Sequence, residues 1–544
     1  MFSCLFAKML GRKKLWGFCL RNVSTISSNL LSCTLSRITV QITTLVTSSR
    51  TLASVQTKWQ ILYNHCKCYS TESLLHQSTI YAVSSGFGKC GVSIIRVSGK
   101  CSPNALLKLT KRKSLPGPRK AIVQPIYHPV SNLMLDRSLV LWFPRPSSFT
   151  GEDVCEFQVH GGPAVIASVL NALSCITGLR PAEAGDYTKQ AFLNGKLDLT
   201  EVEGLGDLIH AETEAQRRQA LHQMEGSLAS LYKGWSNEVL RCVAHLEAFI
   251  DFEEDEDLDP DIICNIRLNT TKMISKIQHH LSDERRGERL RDGVRVAIIG
   301  KPNVGKSSLL NAVTQRPAAI VSPIPGTTRD VIETALDISG FPVLISDTAG
   351  LRRSHGVIEK QGVDRAYVKA KEADLVVLVV NSQEVNNKDL NNFSEFIKQH
   401  AHELHLEKTS LENLIVILNK SDLLESEKLK KIRDLQSEYA SVLLISCKTL
   451  DGFQDLLQTF SKRLEKLCGG SCVGETPSVT QQRHRLHLNN CVSFLEKGNQ
   501  FLNKDVVIAA EYFRMALTEL GRISGKIGSE DILDVIFKDF CIGK

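Results

Sequence analysis

Gly300-Lys-Pro-Asn-Val-Gly-Lys-Ser307 fits the pattern G-x-x-x-x-G-K-S; it follows the apolar run VRVAIIG and opens into SSLLNAV. A glycine-rich turn between a strand and a helix aims backbone N–H groups, and the positive end of the helix, at phosphate oxygens. In that setting Asn303, Val304, Gly305 and Ser308 wrap the phosphates, Lys306 reaches the β- and γ-phosphates, and Ser307 ligates Mg2+. The bare pattern arises by chance, but the strand–loop–helix context argues against chance here.

Three further elements extend this chemistry. Asp347-Thr348-Ala349-Gly350 ends an apolar run, which puts Asp347 near the Mg2+ shell and the Gly350 N–H at the γ-phosphate. Thr327 and Thr328 lie between this element and the phosphate loop, where a switch segment supplies a hydroxyl to Mg2+; Thr328 is the expected ligand. Asn419-Lys420-Ser421-Asp422 ends another strand, and the Asp422 carboxylate can accept both N1–H and the 2-amino group of guanine, which adenine lacks. Ser446-Cys447-Lys448 follows the last strand, where backbone donors would meet the guanine oxygen. Taken singly, each is a turn after a strand. Four in this order predict a GTP site rather than an ATP site. Ras-like enzymes position the attacking water with a Gln directly after D-x-x-G; Leu351 stands there instead. Arg329, Arg352 and Arg353 are close by, yet none is identifiable as an arginine finger.

The elements that must position these residues follow from periodicity. Residues 294–467 alternate apolar strands (VRVAIIG, VLISDTAG, DLVVLVVN, NLIVILNKSD, SVLLISCK) with amphipathic helices, which predicts a mostly parallel sheet covered on both faces. Before it, Leu221, Met224, Leu228, Leu231, Trp235, Val239, Leu246 and Ile250 recur at helical steps and predict one apolar stripe. The acids of Asp251–Asp257 read as a solvated loop or helix end, with a metal site a remote second. After it, 481–544 is helical again, with a break expected from Gly521 to Gly528 and a last helix starting near Ser529. Strand and turn patterns predict a compact α+β unit over residues 78–193. The expected fold is multidomain α+β and α/β: an N-terminal α+β domain over 76–194, helical parts over 195–291 and 475–544, and a Ras-like P-loop domain inserted over 293–468.

Of 66 basic residues, nine fall in residues 1–71, which hold no Asp or Glu. Setting them aside leaves 57 basic residues against 59 acidic, so bulk charge excludes a generally basic nucleic-acid binder and any RNA contact needs a local patch. The leader is rich in Ser, Thr, Leu and Arg. It reads as a mitochondrial transit peptide over 1–72, cleaved near 60–75, with a basic tail or a secretory signal as alternatives. No run approaches the roughly 18 apolar residues of a membrane span. Of 16 cysteines, five lie in the leader and the others are scattered without a CxxC pair, so reduced thiols are expected.

GVSIIRVSG, SFTGEDVCEFQVHGGP, AFLNGKLDLTEVEGLGDLI, IPGTTRD, DTAGLR and the terminal Cys541-Ile542-Gly543-Lys544 together resemble the MnmE family of tRNA-modification GTPases, in its mitochondrial form. The resemblance covers residue 78 to the end. It implies hydrolysis of GTP to GDP activated by K+ and by pairing of two such domains, with Asn303, Ser322, Ile324 and Thr327 around the cation. It also implies that Glu359 orients the water, although the residue alone reads as an ordinary surface carboxylate. The 76–194 domain is implied to form a homodimer and to bind 5-formyltetrahydrofolate or a related folate through Arg96, Glu156, Lys196 and Lys544. Cys541 is either a thiol for modification chemistry or a packed helix-end residue. The implied product is a C5-modified wobble uridine (taurinomethyl or carboxymethylaminomethyl) in matrix tRNA, made with an FAD-dependent MnmG-type partner. Two alternatives remain: a ribosome-assembly switch, though neither a KH-type module nor a second GTPase domain follows Leu467, and a GTP-gated scaffold without modification chemistry of its own.

Overall fold

Apolar alternation in the first third builds β1 (Thr79–Val83), β2 (Cys90–Ser98), β3 (Ile122–Tyr127), β4 (Met134–Phe143), β5 (Val154–Gly161) and β6 (Leu179–Pro181). They form one sheet in the order β3-β4-β5-β2-β1-β6, antiparallel except for the β1–β6 pair. Helices Ser102–Thr110 and Pro163–Ser174 cover it, burying Ile95, Val97, Leu106, Leu109, Phe157 and Leu173. The computed structural model describes residues 78–86, 88–251, 262–314, 333–347, 371–386, 392–403, 413–438, 441–469, 477–526, 536–537, 540 and 542–543. Residues Thr79–Lys544 group as one unit.

The second sheet is β7 (Val294–Ile299), β8 (Glu333–Ile338), β9 (Phe341–Asp347), β10 (Leu375–Asn381), β11 (Leu414–Asn419) and β12 (Val442–Leu444), ordered β12-β11-β10-β7-β9-β8. All described pairs are parallel except β8–β9. Continuous runs such as LVVLVVN and LIVILN suit strands buried on both faces. One face packs Val296, Ile298, Val377 and Ile417; the other packs Ala297, Ile299, Val376 and Leu418.

The chain enters and leaves this sheet through helices that share a core. Leu228, Trp235, Leu246, Met273 and Ile277 precede the sheet in sequence, while Leu488, Leu495, Phe513 and Leu520 follow it, and all lie in one cluster. Two expectations need correction. The stripe from Leu221 to Ile250 is two helices, Glu214–Met224 and Ser227–Asp251, because Gly226 takes φ 87° and turns the chain between them. Gly521 does not break the last described long helix, which runs Val506–Ser524 and ends at Gly525 with φ 80°. The other acids of Asp251–Asp257 and the expected helix from Ser529 to residue 535 lie outside the described residues. Among the described residues no helix is long and apolar enough to cross a membrane, and the cysteines are free thiols.

Candidate functional site

In β7, β10, β11 and β12 the chain runs in one direction, so their carboxyl ends share one edge of the sheet, the edge where open α/β sheets place ligands. The phosphate loop leaves β7 there, Asn419–Asp422 leaves β11, and Ser446–Lys448 follows β12. Helix Lys306–Thr314 starts at the loop's end, anchored by buried Leu309 and Val313. Its first side chains, Ser307 and Ser308, are exposed. Lys306 Nζ donates to the carbonyls of Gly300 and Lys301, each at 2.8 Å, which curls the ammonium back over the loop. Asn303 takes φ 61° with its carboxamide exposed, while Val304 is buried.

Asn419 holds two of the loops together. Its Nδ2 donates to the Val304 carbonyl at 2.8 Å, and its Oδ1 accepts the Cys447 N–H at 3.1 Å. The side chain is 2% exposed, so both bonds sit where an unmade one would be costly. Gly305 follows from this contact: it takes φ 103°, and a Cβ there would collide with the Asn419 carboxamide. Lys420 takes φ 66°, which turns the chain after β11 so that Asp422 comes beside the β12 loop. Asp422 Oδ1 accepts the buried Ser446 hydroxyl at 2.7 Å, and Ser446 Oγ accepts the N–H of Lys448 and of Thr449. These bonds fix the carboxylate in the loop that is to meet a base. Burial pushes the Cys447 thiol up to about 11, so it is a neutral wall rather than a nucleophile. Asn419 as a brace between loops was missed from sequence; its only sign was a short amide side chain at a strand end.

Asp347 closes β9, its backbone opposite Ile298 at the end of β7. Thr348, Ala349, Gly350, Ser322, Ile324, Thr327, Thr328 and Glu359 lie outside the described residues.

A second group of polar residues gathers on the first sheet. Arg96 of β2 is opposite Glu156 of β5, and its Nε donates to Glu156 Oε1 at 2.9 Å. The guanidinium carbon lies 5.9 Å from the Phe149 ring centre and 5.6 Å from that of Tyr187, whose hydroxyl donates to the Arg96 carbonyl at 2.7 Å. Lys196 is exposed, its Cγ 3.3 Å from where a Cβ on Gly151 would lie, and Thr150 bonds Ser98 two residues along β2 from Arg96. The chain end returns here too. Ile542 bridges Ala184, and Gly543 packs on Val83 and Ser84, next to the Ala82 that pairs with Arg96. Cys541 and Lys544 lie outside the described residues.

The model of the MnmE helical domain matches residues 199–541, and that of the GTP-binding protein TrmE N-terminus matches 79–196. The chain is 50% identical over 469 residues to the mitochondrial 5-taurinomethyluridine-tRNA synthase subunit GTPB3 of Danio rerio, covering 86% of this chain and 93% of that protein. It is 47% identical to the Homo sapiens protein of the same description (86% and 93% covered). It is 45% identical to the tRNA modification GTPase MnmE of Parvibaculum lavamentivorans (86% and 100% covered).

Proposed function

Because the chain belongs to the MnmE family of tRNA-modification GTPases, we propose that it hydrolyses GTP under K+ activation to drive C5-modification of wobble uridine in mitochondrial tRNA, together with an FAD-dependent MnmG-type partner. It is a GTPase of mitochondrial tRNA modification. The cation, the partner, the homodimer and the matrix location belong to this proposal, as does the taurinomethyl product, which follows the name of the vertebrate relatives.

The observation that carries the nucleotide assignment is Asn419, which ties the phosphate loop to the loop after β12 at one sheet edge. In the proposed cycle the loop's N–H groups and Lys306 bind the β- and γ-phosphates, and Asp422 selects guanine through two charge-assisted hydrogen bonds. Glu359 orients the attacking water in place of the missing Gln, and Asp347, Thr348, Ala349 and Gly350 read the γ-phosphate. Ser307 and Thr328 would hold Mg2+, which would supply positive charge against the phosphates. The exposed Asn303 carboxamide, with oxygens of Ser322, Ile324 and Thr327, suits K+, which supplies positive charge at the transferring phosphoryl group.

The Arg96–Glu156 pair between two aromatic rings fits a folate: Glu156 Oε2 is left for an amidine-like edge, and Lys196 and Lys544 suit an anionic tail. A bound formyl-folate supplies a one-carbon unit, with Cys541 close in sequence to Gly543. The test is nucleoside analysis of mitochondrial tRNA from cells lacking this protein. Loss of the C5 substituent is expected, and an unchanged wobble uridine rejects the proposal.

A further inference from the structure

Residues 100–135 contain Lys100, Lys108, Lys111, Arg112, Lys113, Arg119 and Lys120 and no Asp or Glu. In a chain whose remainder beyond the leader carries slightly more acids than bases, this acid-free stretch is a local excess of positive charge. Those from Lys108 to Lys120 flank the two ends of β3. Lys108 ends the helix Ser102–Thr110 and Lys111 caps it, with Lys111 Nζ 4.0 Å from the centre of the Tyr127 ring at the far end of β3. Arg119 and Lys120 sit at the near end of β3, where the Arg119 N–H bonds the Trp142 carbonyl and its guanidinium bonds the Ser147 carbonyl. β3 is an edge strand of six residues, so the two groups of cations are separated by roughly 17 to 20 Å along the strand. Lys108, Lys111, Lys113, Arg119 and Lys120 are exposed. The next acid in sequence, Asp136, is turned away to His160, with Oδ1 2.7 Å from Nδ1.

Two ordinary explanations account for part of this. Cations at a helix C-terminus complement its dipole, which covers Lys108 and Lys111. A lysine or two beside an edge strand prevents edge-to-edge pairing, which covers Lys120. Neither requires Arg112, Lys113 and Arg119 as well, nor the absence of any acid. A polyanion with regularly spaced charges does, and the cation-bearing aromatic edge at Tyr127 and His128 suits one that also presents flat bases.

We propose that this stripe beside β3 is a docking surface for the phosphate backbone of the tRNA substrate. The inference rests on the tRNA-modification function and adds the surface that meets the RNA. The test measures tRNA affinity of the full chain between 50 and 200 mM salt, with Lys111→Gln, Lys113→Gln, Arg119→Gln and Lys120→Gln combined in one variant. Four phosphate contacts correspond to a loss of about 100-fold across that salt range in the wild type. The variant is expected to bind at least tenfold more weakly at low salt and to lose that part of the salt dependence. Its GTP hydrolysis and thermal midpoint should be unchanged, and Lys430→Gln with Lys431→Gln on another exposed helix should bind as wild type does. Equal affinity and equal salt slope in variant and wild type overturn the docking surface while leaving the function intact, which the nucleoside analysis decides separately. A variant that loses binding to vesicles of anionic lipid but not to tRNA also overturns it and assigns the stripe to a membrane surface.

Discussion

Asp422 illustrates how little separates a structural carboxylate from a recognition group. One oxygen already accepts from the Ser446 hydroxyl, and a carboxamide oxygen in Asn can still accept that bond. What Asn cannot do is accept from two donors on the base through two oxygens. Asp422→Asn should therefore weaken GTP binding by about 100-fold, from the loss of roughly 3 kcal/mol of charge-assisted bonding, with the thermal midpoint of the nucleotide-free protein unchanged. Nucleotide titration checks this, and full GTP affinity in the variant would remove Asp422 from base recognition. Glu359 is the corresponding case for turnover. Glu359→Ala should lose hydrolysis and keep affinity, whereas a loss of binding would give it a structural role. Asp422 was expected from the sequence because guanine chemistry fixes both the residue type and its place after a strand, whereas Glu359 came only from the family resemblance and lies outside the described residues. Asn419 was read as part of the motif but not as the brace between loops, since its partners Val304 and Cys447 lie far away in the chain.

Between elements, the polar contacts that matter are long in sequence and silent in any local pattern. Glu203, on the helix Leu199–His210, accepts from Arg483 at 2.7 Å and lies 2.8 Å from His484 Nε2; His484 is fully buried. Their attraction holds the Glu203 carboxyl below its ordinary range despite burial. Removing one partner strands the others, so Glu203→Ala should cost about 3–5 kcal/mol, visible in a denaturant titration. On the same helix Asp207 bonds Arg291 at 2.8 Å, yet burial raises its carboxyl to about 6. Its folded pKa exceeds the unfolded value of 3.8, so between the two the folded state holds the extra proton and stability falls as pH rises. Relative to Asp207→Asn, wild type should gain about 2 kcal/mol on going from pH 7 to pH 4. A constant difference across that range would mean Asp207 is solvated like a surface acid. Periodicity did reveal the helices carrying these groups, but Gly226 and Gly521 show its limit. The first turns the chain at a positive φ and the second lies inside a helix, and nothing in their immediate neighbours tells the two apart.

At the scale of the whole molecule, the last described residues return to the first sheet. Phe540 is 5% exposed and packs with Leu199, Val202 and Phe537, while beyond it Ile542 bridges Ala184 and Gly543 lies on Val83 and Ser84. Ile542 and Gly543 thus lie by the strand that pairs with β2 beside Arg96, whereas the proposed nucleotide loops stand on the other sheet, with its own core clusters. The two sites can therefore be separated by a single substitution in the tail's anchor. Phe540→Ala removes a buried ring at a cost of about 3–5 kcal/mol, set against a tail tethered by few other contacts among the described residues. The tail should then leave Val83 more often. Binding of 5-formyltetrahydrofolate should weaken at least tenfold, while GTP affinity stays within twofold of wild type, both measured by calorimetry. Undiminished folate binding would mean that the chain's end plays no part in that site, and a matching loss of GTP affinity would mean that the tail supports the whole fold rather than one pocket.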